Sequence, residues 1–332
     1  MHGRRVTLTA LAAASGLLAA ACQSSAPVAT QLNPTAVAGQ PAAAVVRYLK
    51  ISPAAGAKDV NPGSGITVTA VHGGTITKVT VKSSAGGPVT GSLSAGKTRW
   101  HSTYALPTGS SYKVTASGTD SGGHPVTVTS SFRTRTPSDT FATEIYEGDD
   151  ATYGVGMPIM LTFSRPITDK AAVERSLQIT TSKPVIGAWY WDGSEQLDFR
   201  PRDYWPANTT VSFDGHFNGV EGAKGVYGVH DLTQSFSIGQ SVIAVASASA
   251  HRTEIYVDGK PTYGWPISTG RTTMPTPDGT YLSVQKNNPV RMIGGKKGTP
   301  GYYNELVNWA VRFTFSGDYY HSAPWSVVDQ GT

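Results

Sequence analysis

Ile66-Thr67-Val68-Thr69-Ala70 and Ile76-Thr77-Lys78-Val79-Thr80-Val81 alternate apolar and polar side chains, and most of these residues are β-branched. A period of two puts the apolar set on one face, which is the pattern of a half-buried strand. His72-Gly73-Gly74 separates the two runs and supplies a turn. Further runs have the same pattern: Val46-Arg47-Tyr48-Leu49-Lys50-Ile51 upstream, then Tyr112-Lys113-Val114-Thr115-Ala116 and Val126-Thr127-Val128-Thr129 downstream. Asn61-Pro62-Gly63 and Gly86-Gly87-Pro88 punctuate them. About seven short strands over residues 45–137 is the size of an immunoglobulin-like sandwich. The cysteine pair of antibody domains is absent, so only the architecture is implied.

A second module of similar size spans 138–239. Pro158-Ile159-Met160-Leu161-Thr162-Phe163, Trp189-Tyr190-Trp191, Leu197-Asp198-Phe199-Arg200-Pro201, Val211-Ser212-Phe213 and Gln234-Ser235-Phe236-Ser237-Ile238 read as strands. Asp169 to Leu177 reads as the one short helix, with Thr168 as its N-cap. The tryptophans invite a sugar-binding reading, but aromatics on strands first serve as core. A third module, 240–332, is again strand-rich. Glu254-Ile255-Tyr256-Val257-Asp258-Gly259-Lys260 is a hairpin with Asp-Gly at its turn. Pro266–Gly270, Thr276–Tyr281 and Val311-Arg312-Phe313-Thr314-Phe315 come next, the last expected to form a sticky sheet edge. The expected fold class is all-β.

Residues 1–22 read as an export signal. Arg4 and Arg5 precede an apolar run, Val6 to Ala21, that is too short to span a bilayer comfortably. It ends Leu17-Leu18-Ala19-Ala20-Ala21-Cys22, which resembles a bacterial lipobox, with Ala19 where leucine is usual. Cys22 is then the expected lipidation site, and the alternative is cleavage after Ala21 without lipid. Residues 23–44, rich in Ala, Pro, Gln, Thr and Ser, read as a flexible tether. This places the protein outside the cytoplasm, anchored by lipid to the outer membrane face, within the cell wall.

Charged residues make up only 15% of the chain and the net charge is +5. It falls to about +3 once Arg4 and Arg5 leave with the signal, a balance that suits an anionic wall. No cluster of Lys and Arg interleaved with aromatics is present, which argues against nucleic acid. His72, His101, His124, His216, His230 and His251 show no metal-ligand spacing, and Asp149-Asp150 and Asp258 make no calcium loop. No metal or cofactor is therefore expected. There is no G-x-S-x-G elbow, and the single cysteine rules out an internal disulfide.

The third module carries V-D-G-K at 257–260, I-S-T-G at 267–270, T-P-D-G-T-Y at 276–281, N-W-A-V-R-F at 308–313, S-G-D-Y-Y at 316–320 and H-S-A-P-W-S at 321–326. In order and spacing these resemble the YkuD-type catalytic domain of actinobacterial L,D-transpeptidases. The strand and Trp-x-Trp series of 158–206 resembles the second Ig-like module that precedes that domain. The resemblance implies acyl transfer in peptidoglycan crosslinking. A cysteine thiolate attacks the peptide carbonyl after diaminopimelate in a tetrapeptide stem. D-Ala leaves, and an amine of a second stem resolves the thioester. By resemblance His321 is the base, Ser322 orients it through its backbone carbonyl, and Tyr303 and Trp325 lie on the lid and rim of the donor pocket. The implied partners are peptidoglycan stem peptides.

In that family the nucleophile lies in an S-H-G-C motif shortly after H-S-A-P-W-S. Thr332 comes eleven positions after His321, and the sole cysteine is Cys22. The expectation is a chain truncated within its catalytic domain, without a nucleophile and inactive as given. The alternative is a non-catalytic wall-binding or spacer lipoprotein.

Overall fold

The computed structural model describes residues 47–270, 272 and 275–329. The expected signal, tether and lipidation site at Cys22 lie outside the described residues.

The first part contains β1 (Leu49–Ser52), β2 (Thr67–Ala70), β3 (Thr75–Ser83), β4 (Gly91–Leu93), β5 (Arg99–Ser102), β6 (Ser111–Thr119) and β7 (Pro125–Arg133). They form two sheets, ordered β1-β2-β5-β4 and β3-β6-β7. The alternating apolar residues meet between the sheets. Leu49, Val68 and Trp100 come from one sheet, and Ile76, Val114, Ala116 and Phe132 from the other. This is a sandwich with seven strands, and His72 at φ 52 and Gly73 at φ 77 make the turn between β2 and β3.

The second part contains β8 (Asp139–Phe141), β9 (Thr143–Ile145), β10 (Ala151–Tyr153), β11 (Ile159–Phe163), α1 (Lys170–Glu174), β12 (Leu177–Thr181), β13 (Gly187–Asp192) and β14 (Gln196–Pro201). It continues with β15 (Thr209–Gly215), β16 (Glu221–Ala223), β17 (Val226–Gly228) and β18 (Leu232–Ile238). Sheets β10-β18-β15-β12 and β13-β14-β11-β9 enclose Ile159, Leu161, Phe163, Leu197, Val211, Phe213 and Phe236. Trp189 packs edge-on to Phe199 and Phe213, Trp191 stacks on Phe163, and Trp205 is buried. The tryptophans thus serve the core rather than a sugar platform. Tyr190, between the two strand tryptophans, points out, as do Tyr146 and Tyr204.

The helix differs from expectation. It is five residues long, its N-cap is Asp169, whose carboxylate accepts from the Ala172 N–H, and Leu177 opens β12. The N–H groups of Thr168 and Asp169 both donate to the Gly222 carbonyl. That anchor holds Thr168 in the approach to the helix and leaves Asp169 to cap it.

The third part contains β19 (Val242–Ser247), β20 (Arg252–Val257), β21 (Lys260–Pro266), β22 (Gln285–Asn287), β23 (Val290–Gly294), β24 (Tyr303–Val307), β25 (Ala310–Arg312) and β26 (Tyr319–Tyr320). The Asp258-Gly259 turn joins β20 to β21 with φ of 49 and 77, the left-handed pair a two-residue hairpin needs. Residues 267–270 and 276–281 form no strand. The expected sticky edge is also corrected. β25 is the middle strand of the sheet β22-β25-β26, so both its backbone edges are paired. Phe313 packs against Tyr281 and Tyr320, and only Phe315 is left bare.

Candidate active site

The residues that the sequence singles out sit where β26 ends. The turn from β25 to β26 is held by Thr314, whose hydroxyl donates to the Asp318 carboxylate at 2.5 Å and accepts from the Asp318 N–H at 2.8 Å. Arg312 spans the same turn, its Nε donating to the Thr314 carbonyl at 2.8 Å and its Nη2 to that of Phe315. Its guanidinium lies over the ring of Tyr319, 5.9 Å from the centroid. Pairing of Val311 with Tyr320 and of Arg312 with Tyr319 then delivers the chain to His321.

Two contacts fix the segment beyond β26. The Ser322 hydroxyl donates to the Asn308 carbonyl at 3.0 Å, tying H-S-A-P-W-S back to the start of N-W-A-V-R-F. His321 Nδ1 lies 3.0 Å from the carbonyl oxygen of Ser322. A carbonyl only accepts, so Nδ1 carries the proton and the Nε2 lone pair is left free. That is the tautomer of a general base, set by backbone rather than by an acid. The ring of Trp325 lies nearly parallel to the imidazole, with centroids 6.5 Å apart. Both side chains are exposed.

Tyr303 stands apart from this group. It is on β24, paired with Gly294 of β23, and its ring lies over the Cα of Gly294 so closely that a Cβ there would be 2.4 Å from it. Among the described residues no hydrogen bond or ring contact joins it to His321 or Trp325. Among the described residues no group of three or more His, Cys, Asp or Glu is placed to hold a metal. His251 and His216 have structural surroundings. His251 Nδ1 is buried without a partner, and His216 stacks on Tyr104 at 3.7 Å.

Asn308 falls within a motif of the sequence, but nothing in that motif assigns it a role. The Thr314 and Asp318 pair was likewise missed, although a threonine and an aspartate flanking Ser316-Gly317 are the usual sign of a side-chain-clamped turn.

Comparison with known proteins decides the family. A model of the bacterial Ig domain matches residues 57–221, and a model of the L,D-transpeptidase catalytic domain matches 241–331. L,D-transpeptidase 2 of Mycobacterium tuberculosis (strain CDC 1551 / Oshkosh) is 32% identical over 99% of this chain and 81% of its own length. The chain belongs to the L,D-transpeptidase family. L,D-transpeptidase 5 of M. tuberculosis (strain ATCC 25618 / H37Rv) is 33% identical over 85% of this chain and 63% of its own. The solved structure of the L,D-transpeptidase LdtMt1 in complex with imipenem is 35% identical, with a TM-score of 0.48, over 59% of this chain and 85% of that one. Members of this family act on the peptides of cell-wall peptidoglycan.

Proposed function

We propose that this L,D-transpeptidase-family chain supplies the base half of an acyl-transfer site for peptidoglycan stem peptides. His321 takes the proton of an attacking thiol through Nε2, while the Ser322 carbonyl holds the ring. The thiolate sulfur bonds to the carbonyl carbon after diaminopimelate, the bond to D-Ala breaks, and the proton leaves with the D-Ala amine. An amine of a second stem then displaces the sulfur. Trp325 and Tyr303 border the donor stem. The observation that carries this reading is the 3.0 Å contact from His321 Nδ1 to the Ser322 carbonyl within a matching catalytic-domain sequence.

The nucleophile is a separate matter. These 332 residues contain one cysteine, Cys22. A serine hydroxyl is far less acidic than a thiol, whose pKa is about 8.5, so Ser322 and Ser326 are poor substitutes. The 332-residue chain alone is therefore expected to leave stem peptides uncleaved. Its arrangement would be a lipoprotein signal at 1–22, a tether at 23–44, Ig-like modules at 45–137 and 138–239, and the catalytic-type module at 240–332. The protein works outside the cytoplasm, held to the outer membrane face by lipid on Cys22.

The test uses the purified chain with a carbapenem and with a tetrapeptide stem. Mass spectrometry should find no acyl adduct and no released D-Ala. Adding in cis the segment that carries S-H-G-C from a related enzyme should give D-Ala release, and His321→Ala should abolish it. Turnover by the unmodified chain would overturn the account of the nucleophile. A folded, active fusion that ignores His321→Ala would overturn the role of the base. Lipidation is checked by mass spectrometry of the membrane fraction, and an unmodified Cys22 on free protein would refute it.

A further inference from the structure

A cleft of about 1030 Å³ runs between the two sandwiches, and none of its lining residues belongs to 240–332. Three of its lining residues make contacts across the modules. Tyr104 OH donates to Gln178 at 2.9 Å, and Asn61 Nδ2 donates to Glu221 at 3.4 Å. Arg99 on β5 and Arg175 at the C-cap of α1 line it from opposite modules. Neither guanidinium has a hydrogen bond or ion pair among the described residues. Two acids line the same cleft and each accepts hydrogen bonds from elsewhere. Asp169 caps α1 through the Ala172 N–H, and Glu221 accepts from Gly225 N–H and Asn61. The rest of the wall mixes serine and threonine hydroxyls with apolar groups such as Ile66, Leu93 and Val220, with little aromatic surface. Its rings are the His101 imidazole and Tyr104, and one face of Tyr104 is covered by His216 at 3.7 Å.

Two free, planar cations lining one cleft suit carboxylates, which arginine binds bidentately. Sugar rings are normally held by open aromatic faces, and these are scarce here. The geometry points to a second substrate site in this cleft, one that holds a carboxylate-bearing peptide through Arg99 and Arg175. The choice of a peptidoglycan stem as that peptide rests on the function proposed above. The cleft would keep a stem on the protein away from the chemistry, as a docking point for the polymer.

The experiment is calorimetric titration of the full chain with a synthetic tetrapeptide stem containing diaminopimelate and D-Ala. Saturable binding that weakens with added salt is expected. The Arg99→Ala/Arg175→Ala pair should weaken it about tenfold or more. The Arg99→Lys/Arg175→Lys pair keeps the charge and should restore part of it. Lys78→Ala, an exposed cation outside the cleft, should bind as the parent does, which separates the two arginines from general surface charge. An unchanged thermal transition shows that the variants fold. Absence of binding, binding indifferent to the alanine pair, or equal binding of an N-acetylglucosamine tetramer at the same arginines would overturn the proposal. None of those results bears on D-Ala release by the fusion, so the two readings fail separately.

Discussion

Gly219 presses against the carbonyl oxygen of Leu106, across the junction of the two sandwiches. A Cβ on Gly219 would lie 2.0 Å from that oxygen and 2.9 Å from Pro62, and its φ is +92. Both the close approach and the backbone angle demand glycine. Around this point Asn218 Oδ1 accepts from the Thr108 N–H at 3.1 Å, and Arg135 reaches the hydroxyl of Tyr227 at 3.5 Å. The junction is therefore specified by packing and not by the length of the linking chain. Gly219→Ala should cost about 3 kcal/mol, from strain and overpacking together. A fall of roughly 10 °C in Tm is the expected readout, and an unchanged Tm would show that the junction opens freely.

Glu147 gives the second sandwich a pH dependence. Its side chain is buried, one oxygen accepts from the Met160 N–H at 3.3 Å, and the other has no partner. Burial, with a smaller contribution from the Asp198 charge, pushes its pKa up from 4.5 to about 7. The folded form thus holds the proton more tightly than the unfolded chain. The stability this gives is complete below pH 4.5 and is lost as pH rises through about 7. Glu147→Gln should be nearly neutral at pH 4 and more stable than the parent at pH 8, by about 3 kcal/mol. Urea unfolding at the two pH values decides it, and equal effects at both would refute the buried acid.

The imidazole of His321 should show the Nδ1-protonated tautomer in ¹⁵N NMR when neutral, because its Nδ1 donates to a carbonyl. Ser322→Ala removes the hydroxyl bond to Asn308 and keeps that carbonyl. It should cost up to about 1 kcal/mol and leave the tautomer in place. An Nε2-protonated ring in the parent would remove the basis for its assignment as base.

Proteolysis should begin between Ile267 and Val284. The described residues there form no strand and are nearly all exposed. A stable product containing 47–239 is expected, because each sandwich closes its own core. First cleavage inside either sandwich would contradict this.

Local pattern carried the fold far. The Thr-Val alternation of 66–81 and the Asp258-Gly259 turn are read correctly because a strand's period and a left-handed turn are properties of neighbouring residues. The helix cap was misplaced by one residue because Thr168 and Asp169 are both competent caps. The choice between them is made by Gly222, fifty-odd positions away. The same applies to β25, which looked like an edge until β22 and β26 were seen to pair with it. At the site, His321 and Ser322 were legible from a motif. The arginines of the cleft were not, since Arg99 and Arg175 stand in unrelated runs and come to line one cleft only when two modules pack.

β26 is two residues long. Two backbone pairs, the ring contacts of Tyr319 and Tyr320 and one serine hydroxyl seat His321 relative to the sheet. Amide hydrogen exchange at Tyr319 and Tyr320 should accordingly be far faster than in β11 or β15, whose openings require breaking a core. A two-residue strand predicts a low opening free energy for the segment that carries the base. Whatever binds beside Trp325 must first contribute the order that the strand itself lacks, and part of its affinity will be spent in holding the imidazole still.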